Sequence, residues 1–519
     1  MINRILTVGG FTLLSRVTGF ARDIVMAAVL GAGPIADAFL VAFRLPNHFR
    51  AIFAEGAFAA AFVPAYARIR VAGGADAAKL FGDRIFTLLF ASQVVLLALA
   101  LAFTPGVIWL LAPGFRLDPA RFDLAVELTR ITFPYLLLMT LVTLFSGILN
   151  SIGRFATAAA APILLNLTMM VALLLAAFFP TAGHAAAWGV LIAGVFEVLL
   201  VGGDALRNDV LTALRWPRFD ADVKRFFKAL VPATVGSAGI QLALFADTMI
   251  GSMLAAGALS ALYYADRLYQ LPGGVIGIAV GTVLLPEMAR RIAVGDEDGA
   301  RAAQARAIAF TLLLAVPCVA AFLTVPDLIM RALFMRGKFT AADAHAAAMT
   351  LAAYSIGLFP FVLMRSVVAT FLARGDTTRP VKAALAAAGV NIAFKVLFLY
   401  LTTLAQVGLA LATSFGAWIN FALVVWLGAR AGLMRADNEL VRTIGKLALA
   451  GLILTTALWL AEKVAVARMM PDIAALIVLA LLGATVYGAA ILALFGKRWL
   501  VALWRGADIN SASAPPAQD

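Results

Sequence analysis

Residues 15–64 read SRVTGFARDIVMAAVLGAGPIADAFLVAFRLPNHFRAIFAEGAFAAAFVP. The stretch is apolar enough to lie in a bilayer, yet it contains four arginines, two aspartates and one glutamate. A charged residue at the centre of a bilayer costs roughly 2.5–3.5 kcal/mol on insertion scales, so a chain keeps one only where it faces a cavity or a partner. The stretch therefore predicts a membrane-embedded pocket for a negatively charged ligand.

The composition of the 519-residue chain is that of a polytopic membrane protein. Hydrophobic residues make up 63% of the sequence and charged residues 13%, whereas soluble domains are about 45–50% apolar and about 25% charged. Apolar runs of about 20 residues predict an all-α protein of about 14 transmembrane helices, among them single spans over 124–150 and 346–372. The first run lacks a small-residue cleavage site, so we expect an uncleaved first span.

The charges of the loops predict the orientation of the chain. If the N-terminus is cytoplasmic, most of the 41 lysines and arginines fall in cytoplasmic loops. This bias predicts that both termini lie in the cytoplasm. It also explains most of the net charge of +13 without a nucleic-acid partner.

An internal repeat divides the chain into parallel halves. Residues 133–136 (FPYL) recur as 359–362 (FPFV), and Asn166 recurs as Asn391, at offsets of about 225 residues. The repeat unit contains six spans, so both copies insert with the same orientation, as in parallel-repeat transporters. We predict an N-terminal six-helix lobe over 1–218, a C-terminal six-helix lobe over 219–430, two additional transmembrane helices over 431–505 and a disordered cytoplasmic tail over 506–519.

Enzyme signatures are missing from the sequence. It has three histidines, one cysteine, and no metalloprotease, Walker A or nucleophile-elbow motif. Residues 31–36 fit a loose GxGxxA pattern, but they lie in a turn between two spans and not in a βαβ unit. We therefore expect a transporter that is not an enzyme, that has no cofactor or metal, and that is driven by an ion gradient, the membrane potential or the substrate gradient.

The arginines of the opening stretch form the candidate anion site. Arg16 and Asp23 share a helix face, whereas Arg22 is turned about 100° away. An Arg16–Asp23 pair that only packs the lobe is the alternative interpretation. The first repeat nevertheless contains more cations than nearby carboxylates can neutralise, and arginine forks match phosphate oxygens bidentately. We predict that Arg16, Arg22 and Arg50 bind a pyrophosphate.

The second repeat offers different charges near the equivalent positions. Arg267 is the expected contribution of this lobe to the anion pocket. The alternative is that Asp266 and Arg267 pair with each other at a helix end.

A cation site is a further hypothesis for the second repeat. Asp247, Asn391 and Thr413 have the oxygen chemistry of a Na⁺ site. Lys395, one helical turn beyond Asn391, can instead pair with Asp247 and occupy the place of the cation. Na⁺ coupling and an internal salt bridge are therefore the two alternatives.

Several motifs together resemble a known family. They are Ser15-Arg16 with residues 19–23, the segments 42–47 and 53–58 (FAEGAF), and the segments 264–268 and 373–376. With the spans and the parallel repeat, they make the chain similar to the MurJ (MviN) lipid II flippases of the MOP exporter superfamily. The resemblance covers nearly the whole chain, and the FAEGAF segment is specific to that family.

The resemblance implies two six-helix lobes around a V-shaped cavity, with the last two helices lining a groove for a polyprenyl tail. It implies that Arg16, Arg22, Arg50 and Arg267 are cavity arginines needed for transport. The acidic residues expected to support them are Asp23, Asp37, Glu55 and Asp266. Some relatives have an acidic residue near the proposed cation site where this chain has Lys395, which weakens the case for Na⁺ coupling.

The implied activity is alternating-access transport of undecaprenyl-pyrophosphate-disaccharide-pentapeptide (lipid II) from the cytoplasmic to the periplasmic leaflet of the bacterial inner membrane, for peptidoglycan synthesis. The expected partners are lipid II, membrane lipids, and cell-wall synthesis and division proteins. The alternatives are a flippase for another polyprenyl-pyrophosphate-linked oligosaccharide of the O-antigen type, a multidrug antiporter, and a non-transporting membrane scaffold. An arginine-rich pocket disfavours export of cationic drugs, and a scaffold leaves the intramembrane arginines without a role.

Overall fold

The structure of the chain is a computed structural model. It describes residues 2–54, 57–216, 218–434, 437–463 and 470–505, without the side chains of residues 2–7, 45, 48–54, 57, 233, 235–243, 278, 279, 282 and 502–505. The described residues form helices and no strand. This confirms the all-α fold predicted from the composition.

The chain divides into two compact units. The first comprises the described residues up to Ser260 together with Arg336–Thr340, and the second comprises Ala261–Met335 and the described residues from Ala341 onward. The lobes predicted at 1–218 and 219–430 follow the sequence repeat, whereas the two units follow the density of contacts. The two divisions of the chain are therefore different kinds of boundary. Those lobe boundaries, and the tail boundary, stay predictions.

The first unit is a bundle of helices around an aromatic core. Its helices are α1 (Ile2–Leu30), α2 (Pro34–Ala54), α3 (Ala57–Ala102), α4 (Thr104–Leu111), α5 (Pro119–Thr132), α6 (Pro134–Ser151), α7 (Ala156–Leu174), α8 (Ala182–Arg207) and α9 (Ala221–Ser252). Helix α7 packs between α1 and α8, α2 packs on α5 and α6, and α3 packs on α6 and α9. The rings of Phe62 and Phe226 meet edge to face with centroids 6.0 Å apart, which joins α3 to α9.

The second unit contains the remaining helices. They are most of α10 (Ala258–Ala293), α11 (Glu297–Thr324), α12 (Pro326–Phe334), α13 (Ala341–Ser355), α14 (Leu358–Leu372), α15 (Thr378–Leu401), α16 (Ala405–Arg430), α17 (Asn438–Lys463) and α18 (Asp472–Arg505). Helix α16 packs on α13, α14 and α15, and α17 packs on α11 and α18. The two helices that lie outside the sequence repeat therefore belong to the second unit.

The repeated FPYL and FPFV motifs mark a helix break in each half. Helix α5 ends at Thr132 and α6 begins at Pro134, while α13 ends at Ser355 and α14 begins at Leu358. Proline is accepted in the first turn of a helix because the N–H group that it lacks has no intrahelical partner there. The two spans predicted as continuous are therefore each made of two successive helices.

The apolar helices account for a membrane location. Within the described residues, 10 helices are long and apolar enough to cross a membrane when α5–α6 and α13–α14 are each taken as one. The other predicted spans fall on α1, α2, α9 and α10, where most of the candidate site charges lie. The chain is thus a multi-pass membrane protein.

Gly194 permits the close approach of α8 to α6 and provides a test of this packing. A Cβ atom at Gly194 would lie 2.6 Å from Cδ2 of Tyr135, whose side chain is fully buried and cannot move aside. We predict that Gly194→Ala lowers the melting temperature of the purified protein, with a loss of about 1–3 kcal/mol in stability.

The matched control is Gly203→Ala on the same helix, where a Cβ would meet no atom within 4 Å. Its melting temperature should be unchanged or slightly raised, because alanine favours the helix over glycine. Thermal unfolding followed by intrinsic fluorescence in detergent compares the two variants. Equal melting temperatures would show that α6 and α8 do not pack through Gly194.

Candidate substrate-binding site

The contact between α1 and α7 is made through an asparagine that lies beside a glycine. A Cβ atom at Gly19 would lie 3.4 Å from Nδ2 of Asn166 on α7, which is an ordinary van der Waals distance. The same Nδ2 donates hydrogen bonds to the carbonyl oxygen of Ser15 at 3.0 Å and to Oγ1 of Thr18 at 3.2 Å. These bonds fix the Asn166 amide so that its oxygen is available as an acceptor.

Arg22 is held in place by that acceptor and by its neighbour in the chain. Its Nη1 donates to Oδ1 of Asn166 at 3.1 Å, and its Nη2 and Nε donate to Oδ1 of Asp23 at 2.7 and 3.1 Å. The side chains of Arg22 and Asp23 are 9% and 3% exposed. The aspartate therefore compensates the charge of a buried guanidinium, as a buried charge requires.

The alternative Arg16–Asp23 pair does not form. Asp23 pairs with Arg22, and Arg16 is exposed with no ion pair to any residue that the structure describes. Helix periodicity places the Cα atoms of Arg16 and Asp23 on one face, but it does not fix the direction of a long side chain. An arginine side chain is long enough to bend toward the next residue, so consecutive positions can pair. Among the α1 arginines whose side chains the structure describes, Arg16 is consequently the one whose charge is available to a ligand.

The structure does not show Arg50 and Arg267 next to the arginines of α1. The side chain of Arg50 and all of Glu55 lie outside the described residues. Arg267 belongs to the second unit, where its guanidinium carbon lies 4.5 Å from the centroid of the Tyr263 ring. Asp266 accepts a hydrogen bond from Nε2 of Gln270. Convergence of Arg267 with the α1 arginines stays a prediction, and so does the Asp266–Arg267 pair.

The predicted cation-site residues also belong to different units. Asp247 lies in the first unit, on α9, and Lys395, which is 2% exposed, lies in the second. Oδ1 of Asn391 is buried and has no hydrogen-bond partner among the described atoms, while Thr413 Oγ1 donates to the Leu409 carbonyl at 3.1 Å. The described residues contain no group of 3 or more His, Cys, Asp or Glu side chains suited to a metal. The Na⁺ site and the Asp247–Lys395 pair both stay predictions.

Asp37 forms a second buried charge cluster in the first unit. Its Oδ2 accepts hydrogen bonds from Arg121 Nη2 at 2.9 Å and from the Gly257 amide at 2.8 Å. Its Oδ1 accepts from the amide and the hydroxyl of Ser260, at 2.9 and 2.6 Å. Gly257 and Ser260 lie at the start of α10, where free N–H groups favour a negative charge. The carboxylate of α2 therefore caps α10; we call Asp37, Arg121, Gly257 and Ser260 the Asp37 cluster.

Arg121 was not predicted as a site residue. It lies in the first turn of α5, is 5% exposed, and its guanidinium carbon lies 3.9 Å from the centroid of the Phe115 ring. Arg121 and Ser260 are 84 and 223 residues from Asp37 in the sequence. No local pattern links such distant positions; the only signal was that a carboxylate within an apolar span needs a partner.

Close backbone contacts surround the Asp37 cluster. The Lys338 amide donates to the Ala28 carbonyl at 2.8 Å. Gly31 has a φ of +73°, and a Cβ atom there would lie 2.7 Å from the Lys338 carbonyl oxygen. Gly257 has a φ of +90°, and its Cβ would lie 3.1 Å from the carbonyl oxygen of Ala32. Only glycine meets both the positive φ and the short distance at these two positions.

Comparison with solved structures identifies the fold. The chain superimposes on a lipid II flippase MurJ in an inward closed conformation with a TM-score of 0.79 at 23% identity, covering 94% of this chain and 98% of that one. It also superimposes on an inward-facing multidrug resistance MATE family transporter of the MOP superfamily, with a TM-score of 0.68 at 14% identity, covering 80% and 95%. The fold is that of the MOP superfamily transporters.

Sequence comparison then gives the family. A family model described as "Lipid II flippase MurJ" matches residues 26–502. The probable lipid II flippase MurJ of Rhizobium tropici is 42% identical over 428 residues, covering 81% of this chain and 79% of the relative. The lipid II flippase MurJ of Burkholderia cenocepacia is 37% identical over 440 residues, covering 83% and 84%. The chain belongs to the MurJ lipid II flippase family.

The Asp37 cluster predicts a large effect of a small substitution. Asp37→Asn keeps the shape of the side chain but leaves Arg121 as a buried charge without its carboxylate. Removing one partner of a buried pair costs about 3–5 kcal/mol, so we expect a clear fall in the melting temperature of the purified protein.

Two further variants complete this test. Asp37→Asn combined with Arg121→Gln should be less destabilised than the sum of the single changes, because the uncompensated charge is gone. Asp123→Asn on α5, where the exposed carboxylate forms no ion pair with a described residue, should leave the melting temperature unchanged. Additive effects of the two single changes would contradict a direct Asp37–Arg121 interaction.

Proposed function

We propose that this protein is a lipid II flippase. It moves undecaprenyl-pyrophosphate-disaccharide-pentapeptide from the cytoplasmic to the periplasmic leaflet for peptidoglycan synthesis. The observation that carries the proposal is the family match over residues 26–502, with relatives of that name at up to 42% identity. The protein acts as a transporter and not as an enzyme, in the bacterial inner membrane, with both termini in the cytoplasm, as the lysine and arginine bias of the loops indicates.

The first contact with the substrate involves the exposed arginine of α1. Arg16 has no ion pair among the described residues, so its guanidinium can bind a phosphate without first leaving a carboxylate. Arginine matches two phosphate oxygens with two parallel N–H groups. The pyrophosphate of the lipid therefore docks on Arg16, with Arg50 and Arg267 contributing further charge as the family motifs indicate.

Arg22 has a different role from Arg16 in this mechanism. Asp23 compensates its charge and Asn166 fixes its Nη1. A bound pyrophosphate adds negative charge near Arg22 and competes with Asp23 for its N–H donors. We infer that this exchange links substrate capture to the change between the two access states, with Asp37 and Glu55 as the supporting acidic residues that the family motifs indicate.

Transport in this account does not require Na⁺. Lys395 is 2% exposed on α15, one helical turn from Asn391. Its ammonium group supplies the positive charge that a bound Na⁺ would bring near Asn391 and Thr413. The membrane potential then resets the empty, cationic binding site, since one charge moved across 100 mV is worth about 2.3 kcal/mol.

The proposal predicts the behaviour of arginine variants in bacteria depleted of their own lipid II flippase. Wild-type protein should restore lipid II translocation and growth. Arg16→Ala and Arg22→Ala should each lower the translocation rate at least tenfold, because a charge-assisted hydrogen bond is worth about 1.5–3 kcal/mol. Arg16→Lys, which keeps the charge without the fork, should have an intermediate rate.

The control variant is Arg130→Ala, which removes an exposed arginine of α5 in the same unit and should translocate at the wild-type rate. Replacing Na⁺ by K⁺ should leave the wild-type rate unchanged. A flippase for an O-antigen type lipid or a membrane scaffold would fail to restore translocation at all. Full activity of both Arg16→Ala and Arg22→Ala would refute phosphate capture by α1.

A further inference from the structure

A cavity of about 530 Å³ lies at one end of the first unit, away from the Arg22 pair and the Asp37 cluster. The start of α1, the turn between α6 and α7, and the last two turns of α8 form its walls. The residues that matter to its chemistry are Val8, Arg154, Leu199, Leu200, Asp204 and Arg207. We call it the Arg207 cavity.

The turn between α6 and α7 places Arg154 at this cavity. Gly153 follows the end of α6 with a φ of +81°, and the Arg154 amide donates to the Leu149 carbonyl at 2.9 Å. This 6→1 hydrogen bond with a left-handed glycine is a Schellman ending, which reverses the chain in a fixed geometry. The cavity wall is therefore a defined turn and not a variable loop.

The charges in the cavity leave one cation without compensation. Both oxygens of Asp204 are engaged: Oδ1 lies 3.1 Å from Arg154 Nη2 and accepts from Asn208 Nδ2 at 3.0 Å, and Oδ2 accepts from Thr157 Oγ1 at 2.8 Å. Asp204 thus neutralises Arg154. Arg207 is exposed and forms no ion pair with a described residue. The described lining residues carry a net charge of one positive unit, which matches a singly charged phosphodiester.

The remaining wall is aliphatic and faces outward. Val8, Leu199 and Leu200 line the cavity, and Leu199 is 64% exposed. The apolar spans of α7 and α8 run over Ala156–Leu174 and Ala182–Arg207, so the cavity lies at the end of both spans. This is the depth at which lipid headgroups meet acyl chains.

We propose that the Arg207 cavity is a binding site for an anionic phospholipid. The phosphate lies on Arg207, with the exposed part of the Arg154 guanidinium beside it, and an acyl chain follows Val8 and Leu199. Basic pockets between transmembrane helices are a recurrent form of headgroup recognition. The proposal concerns a structural lipid of the bilayer and does not depend on the identity of the transported substrate.

The same observations argue against the two other sources of a phosphate group. A soluble phosphate makes no use of an aliphatic wall that opens toward the bilayer. A lipid pyrophosphate carries about two negative charges and is better matched by several uncompensated arginines. This cavity has one arginine paired with a carboxylate and one without an ion pair to a described residue. That arrangement fits a phosphodiester better than a soluble phosphate or a lipid pyrophosphate.

The test uses the full chain with a fluorescent label at the cavity. Cys318 is the only cysteine, so Cys318→Ser combined with Leu199→Cys gives one labelling site beside the cavity. The labelled protein is reconstituted in phosphatidylcholine vesicles that contain either brominated phosphatidylglycerol or brominated phosphatidylcholine. Bromine quenches the label only at short range, so a lipid held in the cavity adds quenching beyond that caused by the surrounding bilayer lipids.

We expect half-maximal quenching at about a fivefold lower fraction of brominated phosphatidylglycerol than of brominated phosphatidylcholine. This ratio corresponds to the attraction of about 1 kcal/mol between a basic residue and an anionic lipid surface. Arg207→Gln should abolish this preference and Arg207→Lys should largely keep it. Arg218→Gln, which removes an exposed charge outside the cavity lining, should keep it fully.

Three results would overturn the proposal. Equal quenching by the two lipids in the otherwise unaltered protein would show that the cavity does not select a charge. An intact preference in Arg207→Gln would place the selecting group elsewhere. Relief of quenching by inorganic phosphate, or by undecaprenyl pyrophosphate at a matched concentration, would assign the cavity to a soluble anion or to the transported lipid.

Discussion

Compensation of buried charge is the constraint on which the first compact unit depends. An ion taken out of water loses several kcal/mol of solvation unless a partner is placed beside it. Asp23 provides that partner for Arg22, and Arg121 provides it for Asp37. Because these charges are compensated, the exposed guanidinium of Arg16 is, among the described side chains of α1, the cationic group that a phosphate can bind directly.

The Arg22–Asp23 and Asp37–Arg121 pairs also lie at contacts between helices. Asn166 on α7 holds Arg22 on α1, and Gly19 lies at this helix contact, where small residues are usual in membranes. Asp37 connects α2 and α5 to the first residues of α10, the helix on which Arg267 lies. A displacement of the start of α10 would therefore break hydrogen bonds to the buried carboxylate of Asp37. Such a displacement would cost free energy, because the carboxylate would lose its partners.

Much of the fold was predictable because its signals are local. The length of apolar runs predicted the spans, and the FPYL repeat fell on a helix break in both halves. The partners of the charges were not predictable in the same way. Asp23 pairs with Arg22, its neighbour, because the flexible arginine side chain is not confined to the face of its Cα. The Asp37–Arg121 pair joins positions 84 residues apart, and only the folded bundle brings them together.

Binding of the substrate pyrophosphate to the exposed Arg16 of α1 can be measured at equilibrium, without the complexity of transport. The measurement is the Kd of undecaprenyl pyrophosphate for the purified protein in phosphatidylcholine nanodiscs, for the wild-type chain and for Arg16→Gln. Loss of a charge-assisted hydrogen bond predicts a Kd at least tenfold weaker for the variant. The same Kd for both proteins would contradict the account.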